Sequence, residues 1–249
     1  MSILILETVE KQANASKMPP SSRQPLRTIA ALYRKGGLGF LFNGIGSACT
    51  YWAMHSSVVK LLSFLLPSPV AYIIASVLLA ETHFFWTART ILPRDQVCLV
   101  PKPRERQRWK ALVIPALIYA AANTVMTYVP ARFDNSLASP EEIATVGLSY
   151  IVRSDILIAA FMLFAQLFLL LPSYIVLVLV QASLLPPNCE TLVFTSRQQR
   201  RGRRVGEIFS VNGGPLQAQE AVQMVSMARL LWCVELHGKM CLYLVGVAA

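Results

Sequence analysis

Hydrophobic residues along the chain gather into long blocks in place of the short alternating or one-sided patterns of a soluble domain. The densest block lies between Ser149 and Pro186. It is apolar from Ile156 to Leu171 but for Gln166, and after Pro172, Ser173 and Tyr174 the run resumes to Val180. A helix of a soluble core is seldom apolar on every side over such a length, so the block predicts a transmembrane helix. Roughly thirty helical residues reach about 45 Å at ~1.5 Å each, against a hydrocarbon thickness of about 30 Å, so the helix must tilt, kink or fold back. Pro172 stands in mid-segment, where it removes one backbone hydrogen bond and crowds the preceding turn, and it predicts a kinked single crossing over 149–185. The alternative is a hairpin at Pro172. It needs a turn built from Pro-Ser-Tyr without Gly or Asn, and leaves each half short for a span.

Further blocks read the same way. One covers 40–66, where Tyr51, His55 and Lys60 dilute the apolar character; a second covers 70–92, entered through Pro67 and Pro69; a third covers 111–129. A last candidate, 227–249, carries Arg229, Glu235, His237 and Lys239, so that only its final third is apolar. The predicted fold is all-α, a multi-pass transmembrane helical bundle of about five spans within 35–249. A polar basic tail at 1–34 precedes it, and basic loops occupy 93–110 and 186–226.

Composition agrees with this layout: 55% of the 249 residues are hydrophobic, 14% are charged, and the mean hydropathy is +0.50, which sets the chain apart from soluble domains. The net charge of +10 suits either nucleic acid or the cytoplasm-like face of a membrane. Its distribution decides between them. Basic residues crowd the tail (Lys11 to Lys35), the 93–110 loop (Arg94 to Lys110) and the 186–226 loop (Arg197 to Arg204), whereas the opposite connections hold only Arg132, beside Asp134, Glu141 and Glu142. With 149–185 crossing once, every basic segment falls on one side, as positive-inside asymmetry requires; a hairpin at Pro172 moves the RRGRR cluster to the other face. The Arg-rich run is therefore a topological signal, lipid is the expected partner, and no nucleic-acid partner is expected. The five cysteines form no CxxC pair and indicate neither a disulfide framework nor a zinc site. The run Ile3 to Leu6 is too brief for a signal peptide, and Glu7 and Glu10 are unlike an acid-poor presequence. The glycosylation pattern at Asn14 falls on the basic side, where it is expected to be unused.

Small and polar residues recur within the blocks at steps of four, three and four, each series one helix face: Gly44, Ala48, Tyr51 and His55; Ser76, Ala80, His83 and Thr87; Ala116, Ala120, Asn123 and Thr127; Asp155, Ala159, Met162 and Gln166. Such faces either pack helices together or line a polar pathway. His55, His83, Asn123 and Gln166 are the candidate residues of that kind. Glu81 is a further candidate, about 140° around its helix from the His83 face at ~100° per residue, and a carboxylate there must be paired, protonated or wet. Arg153, Lys60 and Arg89 are its candidate partners.

Tyr33 to Gly44, YRKGGLGFLFNG, resembles the motif that follows odd-numbered helices in mitochondrial carriers. Lys35, Gly37, Leu41, Phe42 and Gly44 fit, while Gly36 stands at the acidic position and Asn43 at the basic one. PSYIVLVLVQ resembles the same family's Pro-to-Gln signature at Pro172 and Gln181, with Tyr174, Leu177 and Leu179 at its charged positions. The resemblance runs thinly from Leu32 to Gln181. It implies kinked odd-numbered helices, basic loops on the matrix side and a mitochondrial membrane. No apolar helix precedes Tyr33, so the first of six carrier helices is missing from this layout, and without the signature charges the family's salt-bridge gate has no members.

Two functions follow. The first is a divergent carrier-like transporter moving a small solute along the polar faces; the second is a membrane scaffold or adaptor that has lost transport and binds a protein partner through its basic loops. A pathway requires those faces to surround water, and a scaffold packs them dry. An enzyme is not expected: there is no HExxH, no GxSxG and no pair of carboxylates on one face, hence no catalytic set, no metal site and no cofactor.

Overall fold

The computed structural model describes residues 33–34, 37, 39, 42, 44–93, 95–100, 106–134, 148–192, 204–209, 215–225, 230–231, 234–235 and 238, with the backbone alone over 132–134 and 148–155. These residues are helical. In chain order they form α1 (Ile45–Ser63), α2 (Ser68–Leu78), α3 (Ala80–Ile91), a 3-10 turn (Val97–Leu99), α4 (Arg106–Asp134), α5 (Leu148–Ala165), a π turn (Gln166–Leu170), α6 (Leu171–Ser183), α7 (Val205–Phe209) and α8 (Ala218–Gln223). One isolated bridge pairs Glu190 with Arg204, and no strand occurs among the described residues.

Two stretches are long and apolar enough to cross a membrane, Arg106–Ala131 and Ile156–Ser183, and the bent pair α2 with α3 makes a third if it counts as one span. The expected total of about five is not reached among the described residues. The 40–66 block yields α1, which is of spanning length but not apolar enough, since Thr50, His55, Ser56, Ser57 and Lys60 fall inside it. The 227–249 block and the 1–34 tail lie almost wholly outside the described residues.

The 70–92 block is not one straight helix. It bends by 58° at Leu79, whose φ of −95° and ψ of 14° leave the helical region. Just before the bend, the Ser76 hydroxyl donates to the Tyr72 carbonyl, and the Val77 carbonyl accepts the Trp109 indole N–H at 3.3 Å. Both draw carbonyls away from the regular ladder, a recognised cause of bending. The third block extends beyond 111–129 to all of α4, with Pro115 and Pro130 inside it.

The long helix passes Pro172 without turning back. The π turn at Gln166–Leu170 stands directly before the proline and widens the turn that its ring would crowd. Past that point the surroundings change. Ile156, Leu157, Leu163, Phe164 and Phe168 are exposed, whereas every residue from Ser173 to Ala182 is buried against α3, α4 and α8. The predicted loop 186–226 is not merely a loop: Val205, Ile208, Phe209, Leu216 and Ala221 fold back onto this core, and the Ser183 hydroxyl accepts the Leu216 N–H at 3.0 Å. Leu192 N–H donates to the Ile91 carbonyl at 2.8 Å, so the two basic segments leave the helices at the same end.

α1 runs antiparallel to α2 and α3, and its start lies against the end of α3. Gly44 has φ +82°, and a Cβ there lies 2.7 Å from Thr90 Oγ1, whose hydroxyl is committed to the Trp86 carbonyl. Beside it the Arg89 guanidinium donates to Ser47 Oγ at 2.7 Å. Gly44→Ala is therefore expected to lower stability by about 1–3 kcal/mol through the left-handed backbone and the Thr90 clash. Gly46→Ala, where nothing lies within 4 Å, is expected to be neutral or to stabilise the helix by up to about 1 kcal/mol. Thermal unfolding of both variants checks this, and equal losses would show that the contact does not matter.

Candidate functional site

The apolar helices enclose a polar cluster, and its centre is Gln181. This residue is 0% exposed and His83 is 4% exposed. Thr87 Oγ–H donates to Gln181 Oε1 at 2.7 Å, which fixes the oxygen end of the amide. The amide nitrogen is then left to donate to His83 Nδ1, 2.9 Å away. The same ring nitrogen lies 3.2 Å from Gln181 Oε1, and the shorter contact, from the amide nitrogen, has Nδ1 accepting, an assignment from the bonding pattern. His83 and Thr87 share a face because they are four residues apart on α3, and α6 lays Gln181 against that face.

A second group adjoins it. The Ser76 hydroxyl spends its hydrogen on the Tyr72 carbonyl and must accept from His55 Nε2–H at 2.9 Å. The Asn123 amide donates to the Tyr72 hydroxyl. Aromatic rings connect the two groups in a continuous chain. Tyr51 lies 5.6 Å from His55 and 5.0 Å from His83, ring centre to ring centre; Tyr72 lies 4.7 Å from His55; Trp86 lies 5.0 Å from His83. Tyr119 carries the chain on, 6.3 Å from His83 and 5.5 Å from Tyr174. Residues of α1, α2, α3, α4 and α6 thus meet in one assembly, which no single helix could build.

His55, His83 and Asn123, expected to be polar residues between helices, all join this assembly, as does Gln181 of the carrier-like signature. Pro172 does not; it is half-buried at the start of α6. Gln166 does not join either. It lies in the π turn, about 22 Å along the helix axis from Gln181 at ~1.5 Å per residue. On the same predicted stripe Ala159 and Met162 are exposed, so this face is not turned into the cluster. Glu81 occupies the first turn of α3, half-buried and on the side away from His83. Of its three expected partners, Arg89 bonds Ser47, Lys60 is exposed, and the side chain of Arg153 lies outside the described residues.

Tyr72, Trp86 and Tyr119, which lie outside the candidate residues, belong to the cluster, as does Tyr174 of the carrier-like signature. A signal was present for two of them: Tyr72 stands four residues before Ser76, and Tyr119 four before Asn123, each on the face already chosen.

Comparison of the chain with family models, with curated proteins and with solved structures finds no match.

The cluster's energetics are testable at two positions. Gln181→Leu leaves the Thr87 hydroxyl and His83 Nδ1 buried without their partner, and is expected to cost about 1–3 kcal/mol. The Tyr174 hydroxyl is buried with no hydrogen-bond partner among the described residues, so Tyr174→Phe is expected to raise stability by on the order of 1 kcal/mol. Chemical or thermal unfolding in detergent measures both, and a loss on Tyr174→Phe would show that the hydroxyl is in fact satisfied.

Proposed function

We propose that the chain is an integral membrane protein of divergent mitochondrial-carrier-like type that passes a small polar solute between its helices, with the His83–Gln181–Thr87 group as the closed point of the route. The observation that carries this reading is where the helices are irregular. The 58° bend at Leu79 lies one turn before His83, and the π turn stands one turn before Tyr174, at the far end of the aromatic chain from Gln181. Discontinuous helices meeting at a polar cluster amid apolar spans are the usual construction of a solute site in membrane transporters. The cluster's hydrogen bonds cross between helices, so parting α3 from α6 exposes donors and acceptors to a solute. Neutral imidazoles, an amide and hydroxyls suit an uncharged or weakly polar solute better than a strongly charged one.

A second reading has its own support. The polar groups bond one another and the rings stand in contact, the dry packing expected of a scaffold whose basic loops hold a partner protein. A closed route and a permanent lock look alike until one is opened.

His83→Ala separates them when thermal stability and flux are measured on one reconstituted sample, with a panel of radiolabelled small polar solutes as probes. Either reading predicts a loss of about 1–3 kcal/mol, because the Gln181 amide loses a partner; a route predicts altered flux as well. That loss with no flux in either protein refutes transport and leaves the scaffold. The orientation is tested by single cysteines at Gln107, Gln199 and Ser139: the first two should label from one side of the membrane and the third from the other. Labelling of Gln199 together with Ser139 would remove the single crossing and the carrier-like reading with it.

A further inference from the structure

Beyond the ends of α3 and α6, two cysteines lie in segments that are stitched together. Cys98 is in the Val97–Leu99 turn, exposed, its thiol donating to the Asp95 carbonyl at 3.0 Å. Cys189 is 0% exposed, in the segment that leaves α6. Two hydrogen bonds bind these segments side by side: Leu192 N–H to the Ile91 carbonyl at 2.8 Å, and Glu190 N–H to Gln96 Oε1 at 2.6 Å. The second joins a residue two before Cys98 to the residue directly after Cys189. Burial raises the Cys189 thiol above its usual pKa, with a smaller contribution from the Cys98 thiol.

We infer that Cys98 and Cys189 are a dithiol pair that closes to a disulfide under oxidation, locking the segment after α3 to the segment after α6. The order of events follows from exposure. Cys98, reachable from solvent, attacks a disulfide oxidant such as oxidised glutathione, forming a mixed disulfide and releasing one glutathione. Cys189 then attacks the Cys98 sulfur and releases the second. Two thiols lose two protons and two electrons, and one glutathione disulfide becomes two glutathione thiols. Freeing the Cys98 thiol for this step breaks one weak hydrogen bond, that to the Asp95 carbonyl.

The lock has a mechanical consequence. The Cys189 carbonyl accepts the Val205 N–H at 3.0 Å and the Pro187 carbonyl accepts the Gly206 N–H at 3.0 Å, so the segment after α6 also holds α7. Cross-linking it to the turn after α3 fixes together the ends of the two helices that supply His83 and Gln181. Their separation is restricted whether or not a solute passes between them.

The test uses the full chain in detergent, exposed to oxidised glutathione, blocked with a thiol alkylator and mapped by mass spectrometry. The expected result is a Cys98–Cys189 linked peptide, two fewer alkylated thiols per chain, and a melting temperature raised by several degrees, all reversed by dithiothreitol. In Cys98→Ser, an exposed position whose change should leave the fold intact, Cys189 should stay reduced and the melting shift should vanish. A glutathione adduct that persists on Cys98 in the unsubstituted protein, a Cys98–Cys98 link between chains, or retention of both thiols would each overturn the inference.

Discussion

A side-chain amide fully removed from water is the constraint on which the described structure depends. From Leu171 to Ala182 the long helix is lined by Ile, Val and Leu, and Gln181 is its one strongly polar interior residue. Burying an amide without partners costs several kcal/mol, so helix α6 can settle only where another helix offers both a donor and an acceptor at matching height. Thr87 and His83 meet that requirement and no apolar face can. Hydrophobic packing alone leaves a smooth helix free to slide or rotate among nearly equivalent positions, and the Thr87–Gln181–His83 group removes that freedom. Through Tyr51 and Tyr119 the same point sets the placement of α1 and α4.

The backbone irregularities follow from the same demand. A straight helix through 68–91 presents His83 and Thr87 at a fixed angle to Ser76 and Tyr72. The bend at Leu79 lets the first half meet His55 and Asn123 while the second half meets Gln181. On the other side, the π turn falls where the long helix changes from an outward-facing apolar rod to the buried centre of the assembly. A continuous helix with two environments is hard to deliver with an even 3.6-residue pitch, because its buried face must be re-aimed where the surroundings change.

These features divide what was legible in the chain from what was not. The all-helical class, the long helix running through Pro172, and three of the four polar faces could be read from periodicity, since Tyr51, His55, Ser76, His83, Thr87 and Asn123 recur at helical spacing and meet in space. The fourth face failed. Periodicity reports which residues share a side and says nothing about which side is inside, and in a helix apolar all round a lone Gln166 marks no buried face, while Gln181, fifteen residues on, lies inside. Among the aromatic members Trp86 and Tyr174 carry no such spacing signal, because Tyr and Trp in an apolar segment look the same whether they face lipid or a histidine. The bend at Leu79 carries neither Pro nor Gly. It is made by Ser76 and by Trp109 of another helix, so only the folded arrangement shows it. The short helices at Val205–Phe209 and Ala218–Gln223 were obscured by the charge of the loop that holds them.

The long helix places a limit on any account of motion in this protein. Its first half packs on α4 through Ala165 and Leu167 but is otherwise largely exposed, and on the membrane reading those exposed side chains meet lipid, which exchanges one apolar neighbour for another at little cost. Its second half is held by hydrogen bonds and close packing on every side. A rearrangement is therefore cheaper if α6 stays in place and its neighbours move. Among them α3 is the element suited to do so. It is short, it is hinged at Leu79, and its polar bonds to Gln181 involve two side chains on one face, so a modest rotation of α3 about that hinge releases both at once. α4, long and passing Pro115 and Pro130 without a break, lacks such a hinge. On the transport reading the boundary that parts lies between α3 and α6, with Gln181 as the fixed partner and His83 and Thr87 as the groups that leave it.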